Sequence, residues 1–316
     1  MNLNPEQTAF VFPGQGSQTP GMGKELATAY PAARLVFEAG DECLGLRLSE
    51  IMWAEGDERL NDTLNTQPAL MMHSAAALRV FQERYPGFKP AYVAGHSMGE
   101  LSALVAAQAL PYTEALRLVR RRGELMKRAG EINPGGMAAI LGLDIPTLEA
   151  LCAEASRGEE IVQVANDNCP GQVVISGERS ALERAVALAQ AAGARRAVIL
   201  AVSIAAHSPL MSHAQADFNQ AVEAAPLQEA QTPVVVNVTA AAVRSPQKIR
   251  ADLQAQLRSR VRWTESVQLM AAQGVRNFIE FGSGSVLCGL IRRIERNAQC
   301  VALGSPADFE KLEEMD

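Results

Sequence analysis

Short apolar runs alternate along this chain with longer stretches in which apolar residues recur every three or four positions, the pattern of strands alternating with helices. Thr8-Ala-Phe-Val-Phe12 reads as a buried strand. Leu26, Tyr30, Leu35, Val36 and Phe37 place amphipathic helical pieces between Lys24 and about Glu50, and Pro68 reads as a first-turn proline before Ala69-Leu-Met-Met72. The apolar run from Ala91 predicts a second strand, Leu101 to Leu110 an apolar helix ended by Pro111, and Thr113 to about Ala129 another helix. Further on, Thr232-Pro-Val-Val-Val-Asn237 predicts a strand, Gln247 to Leu257 a helix, Val275 to Phe281 a strand and Val286 to Arg296 a helix. The last dozen residues read as a frayed tail.

The middle of the chain has a different rhythm. Met137–Leu141 reads as strand, Pro146 to Ala155 as helix, Ile161 to Ala165 and Gln172 to Ser176 as strands, Ser180 to Ala192 as helix and Arg196 to Leu200 as strand. That order is βαββαβ, the ferredoxin-like arrangement. Asn166-Asp-Asn-Cys-Pro-Gly171 is loop by its turn chemistry. The fold expected is therefore α/β: a large domain with a mostly parallel sheet, from residues 1–132 and 201–316, and a small ferredoxin-like domain inserted over residues 133–200.

The candidate chemistry centres on Gly95-His-Ser-Met-Gly99, set between the second strand and the apolar helix. It reads as a nucleophile elbow, in which Ser97 projects from a sharp strand-to-helix turn and the next backbone N–H, that of Met98, faces a developing oxyanion. Gly95 and Gly99 stand where a Cβ would collide with neighbouring backbone. The alternative is a Gly-rich connection whose Ser97 only caps the helix. Pro13-Gly-Gln-Gly16 lacks the third dinucleotide glycine and any P-loop lysine, but it is lean enough for Gln15 to approach a ligand oxygen.

Of four histidines, His207 precedes Ser208-Pro209, a cap and a first-turn proline, so it belongs in a loop at a helix mouth and suits a general base. His96 points away across the elbow, His213 falls inside the following helix, and His73 sits within an apolar helical pattern as a packed residue. Arg122 shares its helix face with Leu118, Val119, Leu125 and Met126, so it points inward and must meet an anion or several acceptors. Either a structural ion pair or a substrate carboxylate would serve.

Composition narrows the classes. Apolar residues make up 48% and charged residues 20% of 316, which excludes disorder, and no apolar run approaches membrane-spanning length. A net charge of −6 argues against nucleic acid. No export signal is visible, and five scattered cysteines without metal spacing read as reduced thiols in a cytoplasmic protein with no metal site.

With these residues in view, the sequence resembles the malonyl-CoA:acyl carrier protein transacylases along nearly its whole length. The likeness rests on an ordered set: Phe12-Pro-Gly-Gln-Gly-Ser-Gln18, Gln67-Pro-Ala-Leu70, Gly95 to Glu100, Arg122-Gly123, Asn168 to Gly177, His207, Val261-Arg-Trp-Thr264 and Met270-Ala-Ala-Gln-Gly274. The resemblance implies an α/β-hydrolase-like domain with the ferredoxin-like insertion, and ping-pong transfer of malonyl from malonyl-CoA to the phosphopantetheine thiol of acyl carrier protein, with no further cofactor. It implies Ser97 as acyl carrier, His207 as base, Gln15 and Met98 at the oxyanion hole, and Arg122 on the malonyl carboxylate. It also implies that a main-chain carbonyl near Gln256 orients the histidine, where residue reading alone would seek an acid such as Asp167. Two departures stand out: Gly282-Ser-Gly-Ser285 replaces a common Gly-Pro-Gly-Lys, and Ala206 stands where malonyl-selective polyketide synthase domains carry Phe, which leaves preference for malonyl over methylmalonyl resting on Met98 and overall likeness. A serine hydrolase or thioesterase, and a non-catalytic carrier-protein docking subunit, are the alternatives. An acidic carrier protein would meet Arg120, Arg121, Lys127 and Arg128, or Arg292, Arg293 and Arg296; a monomer is compatible with the pattern.

Overall fold

The computed structural model describes residues 3–315. A six-stranded sheet forms the large body. Its strands are β1 (Thr8–Phe12), β2 (Tyr92–Gly95), β7 (Val234–Val235), β8 (Ala242–Val243), β10 (Asn277–Phe281) and β11 (Gln299–Leu303), in the order β11-β10-β1-β2-β7-β8. All neighbours run parallel except β7 and β8. Alternate residues of β1 serve opposite faces: Phe10 and Phe12 enter one apolar cluster, Ala9 and Val11 another, so helices cover the sheet on both sides.

The second sheet holds β3 (Gly135–Leu141), β4 (Val162–Cys169), β5 (Gln172–Glu178) and β6 (Arg196–Ile199) in the order β6-β3-β5-β4, all antiparallel. Helices Ile145–Ala155 and Arg179–Ala191 pack on it around Ala138, Ile140, Leu148, Ile175 and Leu182. This is the expected βαββαβ unit. A fifth strand, β9 (Val261–Arg262), comes from the C-terminal part of the chain and pairs parallel with β4 through Asn166 and Asp167.

Several sequence expectations need correction. Pro68 does not start a helix: the helix is Thr63–Arg84, capped by the Asp62 side chain on Leu64 N–H. Proline has no N–H for the carbonyl four residues back, and that carbonyl, of Leu64, accepts instead from Arg120 at 3.0 Å. The segment Asn166–Cys169 is strand rather than loop; its polar residues sit in two register shifts against β5, and only Pro170-Gly171 makes the turn. The apolar helix after the elbow ends at Ala106, short of Leu110, and the strand expected over 232–237 shrinks to Val234–Val235.

The residues expected to fray are ordered helix through 315, and just before them lies a strand, β11, that the sequence pattern did not single out. β11 adds a sheet edge, and a helix, Pro306–Met315, buries Phe309 and Leu312 in the main core, its first turn held by the Asp308 carboxylate on the Gly304 and Ser305 N–H groups. Nor are all the cysteines reduced. Cys288 and Cys300, 12 residues apart with Cα atoms 5.2 Å from each other, form a disulfide between the helix Val286–Ile294 and β11, while Cys43, Cys152 and Cys169 are free. No helix among the described residues is long and apolar enough to cross a membrane.

Candidate active site

β2 ends at Gly95 and a helix begins at Gly99, so the chain reverses over three residues. Ser97 takes the left-handed backbone, φ 54°, which costs an L-residue about 1–2 kcal/mol and persists only where its surroundings enforce it. The two glycines permit the turn: a Cβ on Gly95 would lie 2.0 Å from Gly99 backbone, and one on Gly99 2.3 Å from the Phe12 carbonyl. Asn237 holds it closed. Its Oδ1 accepts from Ser97 N–H and its Nδ2 donates to the Gly95 carbonyl, both at 2.7 Å, while its own N–H donates to Glu100 at 2.9 Å. Sequence reading passed over Asn237, since nothing local distinguishes it from a strand-end turn residue.

Ser97 Oγ lies 2.8 Å from His207 Nε2. His207 Nδ1 faces the carbonyls of Gln256, at 2.9 Å, and Ser259, at 3.1 Å. Two acceptors require the hydrogen on Nδ1, so Nε2 is left with a lone pair for the serine proton. Asp167 is elsewhere, bonded to Thr264 at 2.6 Å, and among the described residues no carboxylate bonds the histidine to complete a triad. Burial, and then the positive charge of Arg122, pull the His207 pKa down to about 3. The imidazole is thus neutral throughout the neutral range. Since kcat/KM reports the free enzyme, we expect acylation kcat/KM to stay level from pH 8 to pH 5.5, with no acid limb at the ordinary histidine value of 6.5. Arg122→Ala, which removes one cause of the depression, should move the limb upward; initial acylation rates against pH check both.

Arg122 is 1% exposed, on the inward face of the helix Tyr112–Ile132. One Nη donates to Gln67 Oε1 at 2.9 Å; the other donates to Gln256 Oε1 at 3.0 Å and to Ser97 Oγ at 3.1 Å. Its Nε has no partner, and none of its hydrogen bonds reaches a carboxylate. The nearby Glu100 is fully buried, and burial with the neighbouring Asp252 charge drives its pKa well above the usual carboxylate range. Burial lowers the Arg122 pKa to about 10, which leaves the guanidinium charged at neutral pH. The site therefore holds a buried cation beside the serine with amides and a hydroxyl as its bonded partners.

Gln15 is exposed on the loop after β1, its Oε1 accepting from Thr63 at 2.5 Å. Among the described residues, neither the Gln15 nor the Met98 backbone N–H donates to another group. The Met98 side chain, in contrast, is buried in the main apolar cluster.

The remaining candidates are accounted for. His96 turns away, bonding Asn168 at 2.8 Å and meeting Trp263 edge-on; His73 is buried against the Gly304 carbonyl at 2.8 Å; His213 is exposed in the first turn of the helix Ser212–Ala224. Arg120 and Arg121 pair with Glu124, and Lys127 pairs with Asp62, so that basic stretch is largely neutralised locally. Arg293 bonds Gln172 and Arg292 the Cys300 carbonyl. Ser283, in the loop that departs from Gly-Pro-Gly-Lys, pairs with Thr19 at 3.2 Å.

A parallel α/β sheet carrying a serine elbow, a carbonyl-oriented histidine and two open N–H groups is the architecture of a serine-dependent acyl transferase, and residues 9–305 match the family described as "Acyl transferase domain". Within it, the chain belongs to the malonyl CoA-acyl carrier protein transacylases. It is 43% identical over 302 residues to the enzyme of that name from Bacillus subtilis, covering 96% of this chain and 95% of the relative. With the Escherichia coli enzyme of that name the identity is 45% over 303 residues, covering 95% and 97%. Among solved structures, an acyl-carrier-protein-S-malonyltransferase from Bartonella henselae superposes with a TM-score of 0.94 at 41% identity, over 98% of each chain. A malonyl-transacylase solved in complex with a type II polyketide synthase acyl carrier protein gives a TM-score of 0.94 at 42% identity, over 98% of this chain and 100% of that one.

Proposed function

We propose that this protein moves a malonyl group from malonyl-CoA to the phosphopantetheine thiol of an acyl carrier protein. In the first half, His207 Nε2 takes the Ser97 hydroxyl proton as Oγ attacks the thioester carbonyl. The oxyanion faces the Met98 and Gln15 N–H groups. On collapse the imidazolium returns its proton to the departing CoA sulfur, leaving malonyl-Ser97. In the second half the carrier thiol gives its proton to His207, attacks the malonyl ester, and Ser97 leaves reprotonated. These steps draw on no metal and on no cofactor beyond the phosphopantetheine the carrier brings. A cytoplasmic location goes with the proposal, since no thioester then has to cross a membrane.

The observation that carries this reading is Arg122. A buried guanidinium 3.1 Å from the nucleophile, with neutral bonded partners, is a ready receptor for a substrate carboxylate. It also argues against a hydrolase or thioesterase, because a carboxylate seated there shields the ester from water. The bonded Ser97–His207 pair gives a non-catalytic docking subunit no explanation.

Arg122→Ala is the test. Truncating one partner of a buried charge pair costs at least about 2 kcal/mol, so malonyl transfer should fall by a factor of about 30 or more. Acetyl-CoA brings no carboxylate, and its transfer should hold or improve. Parallel losses for both substrates, with a lowered melting temperature, would make Arg122 a structural residue and remove the basis for malonyl selectivity.

A further inference from the structure

We infer that Gln163 is a positioning residue for the catalytic base, through which the small sheet sets the geometry of a histidine that belongs to the large one. The inference rests on His207 acting as base, as proposed above. Gln163 lies on β4, and its Nε2 donates to the His207 carbonyl at 2.7 Å and to the Arg258 carbonyl at 3.0 Å. Among the described residues no other donor reaches either carbonyl.

The two carbonyls are not equivalent, and together they explain the arrangement. Among the described residues His207 is one of four non-glycine residues with positive φ, at 57°, so its backbone needs neighbours that enforce it. Its ring is held through Nδ1 by the carbonyls of Gln256 and Ser259, and Ser208 caps the turn that follows. Its own carbonyl is held by Gln163. Arg258 is the residue immediately before Ser259. By gripping both, Gln163 fixes the distance between the histidine and the segment that supplies its ring acceptors. Removal of that brace lets the 256–259 segment drift from Nδ1, and Nε2 then drifts from Ser97.

The surroundings fit a tuning role rather than a structural one. Gln163 is half-buried at the wall of a cleft of about 490 Å³, which Glu149, Cys152, Ser259 and Arg260 also line. Water in that cleft can satisfy the two carbonyls once the side chain is gone, so the fold should survive. Water cannot reproduce a single amide bridging two strands of chain, so the geometry should loosen.

The experiment compares Gln163→Met, which keeps length and loses both donors, with Gln163→Lys, which restores a donor, by single-turnover acylation of Ser97 from malonyl-CoA. We expect Gln163→Met to acylate about 10-fold more slowly with malonyl-CoA KM and melting temperature close to the parent, and Gln163→Lys to recover most of the rate. A Gln163→Met rate within twofold of the parent overturns the inference. So does a loss in both variants that follows a fall in melting temperature. His207→Ala runs alongside: if it acylates at the parent rate the base assignment itself fails, whereas an inactive His207→Ala beside an unimpaired Gln163→Met removes only the brace.

Discussion

Ser97→Ala is expected to abolish the malonyl adduct and to reduce transfer by about 10⁴-fold or more, the scale on which loss of a covalent nucleophile is felt. The fold should be unaffected for a definite reason. Alanine keeps the Cβ, so the elbow with its φ of 54° and its Asn237 clasp sees the same backbone sterics as before. What disappears is the oxygen that accepts from Arg122 and meets His207. Arg122 retains Gln67 and Gln256 as acceptors. Intact-mass spectrometry after incubation with malonyl-CoA reads the adduct directly, and an adduct persisting on the variant would transfer the nucleophile's role to another residue.

His207→Ala should slow acylation by about 10²–10⁴-fold, the range for a positioned general base. The loss should lie near the top of that range, because among the described residues no other base bonds the Ser97 hydroxyl. Arg122 is the other group bonded to the hydroxyl, and as a donor it cannot act as base. The imidazole is pre-set for the task, with its tautomer fixed by two carbonyls and its lone pair 2.8 Å from Oγ. Rates of Ser97 labelling measure the effect; His96→Ala and His213→Ala serve as controls, and a larger loss in either with the fold preserved would reassign the base.

Much of this site was legible from residue order. GxSxG between a strand and a helix located Ser97; the Ser-Pro cap after His207 placed it at a helix mouth; a three-and-four residue count turned Arg122 inward. These are local patterns, and local sterics and periodicity decide them. The misreadings were also local. Pro68 departs from the usual first-turn position, the Asn-rich end of β4 from the turn its composition suggests, and Cys288 and Cys300 from the reduced state their scattered spacing suggests. The Phe309–Leu312 spacing, three apart, was the signal that could have rescued the C-terminal helix.

The sequence by itself carried most of the elements, the alternation that makes a mostly parallel sheet with an inserted βαββαβ unit, and the local patterns that single out Ser97, His207 and Arg122 as candidates. Tertiary structure alone decided how they meet. That His207 is oriented by carbonyls of Gln256 and Ser259, that Asn237 clasps the elbow, that Gln67 and Gln256 cradle Arg122, and that Gln163 reaches across from the small sheet are all contacts between residues tens to more than a hundred positions apart. Amide side chains and main-chain carbonyls make most of them. Such groups occur throughout any sequence and carry no periodic or charge signature, so only the packing that brings two distant segments within 3 Å assigns them a partner.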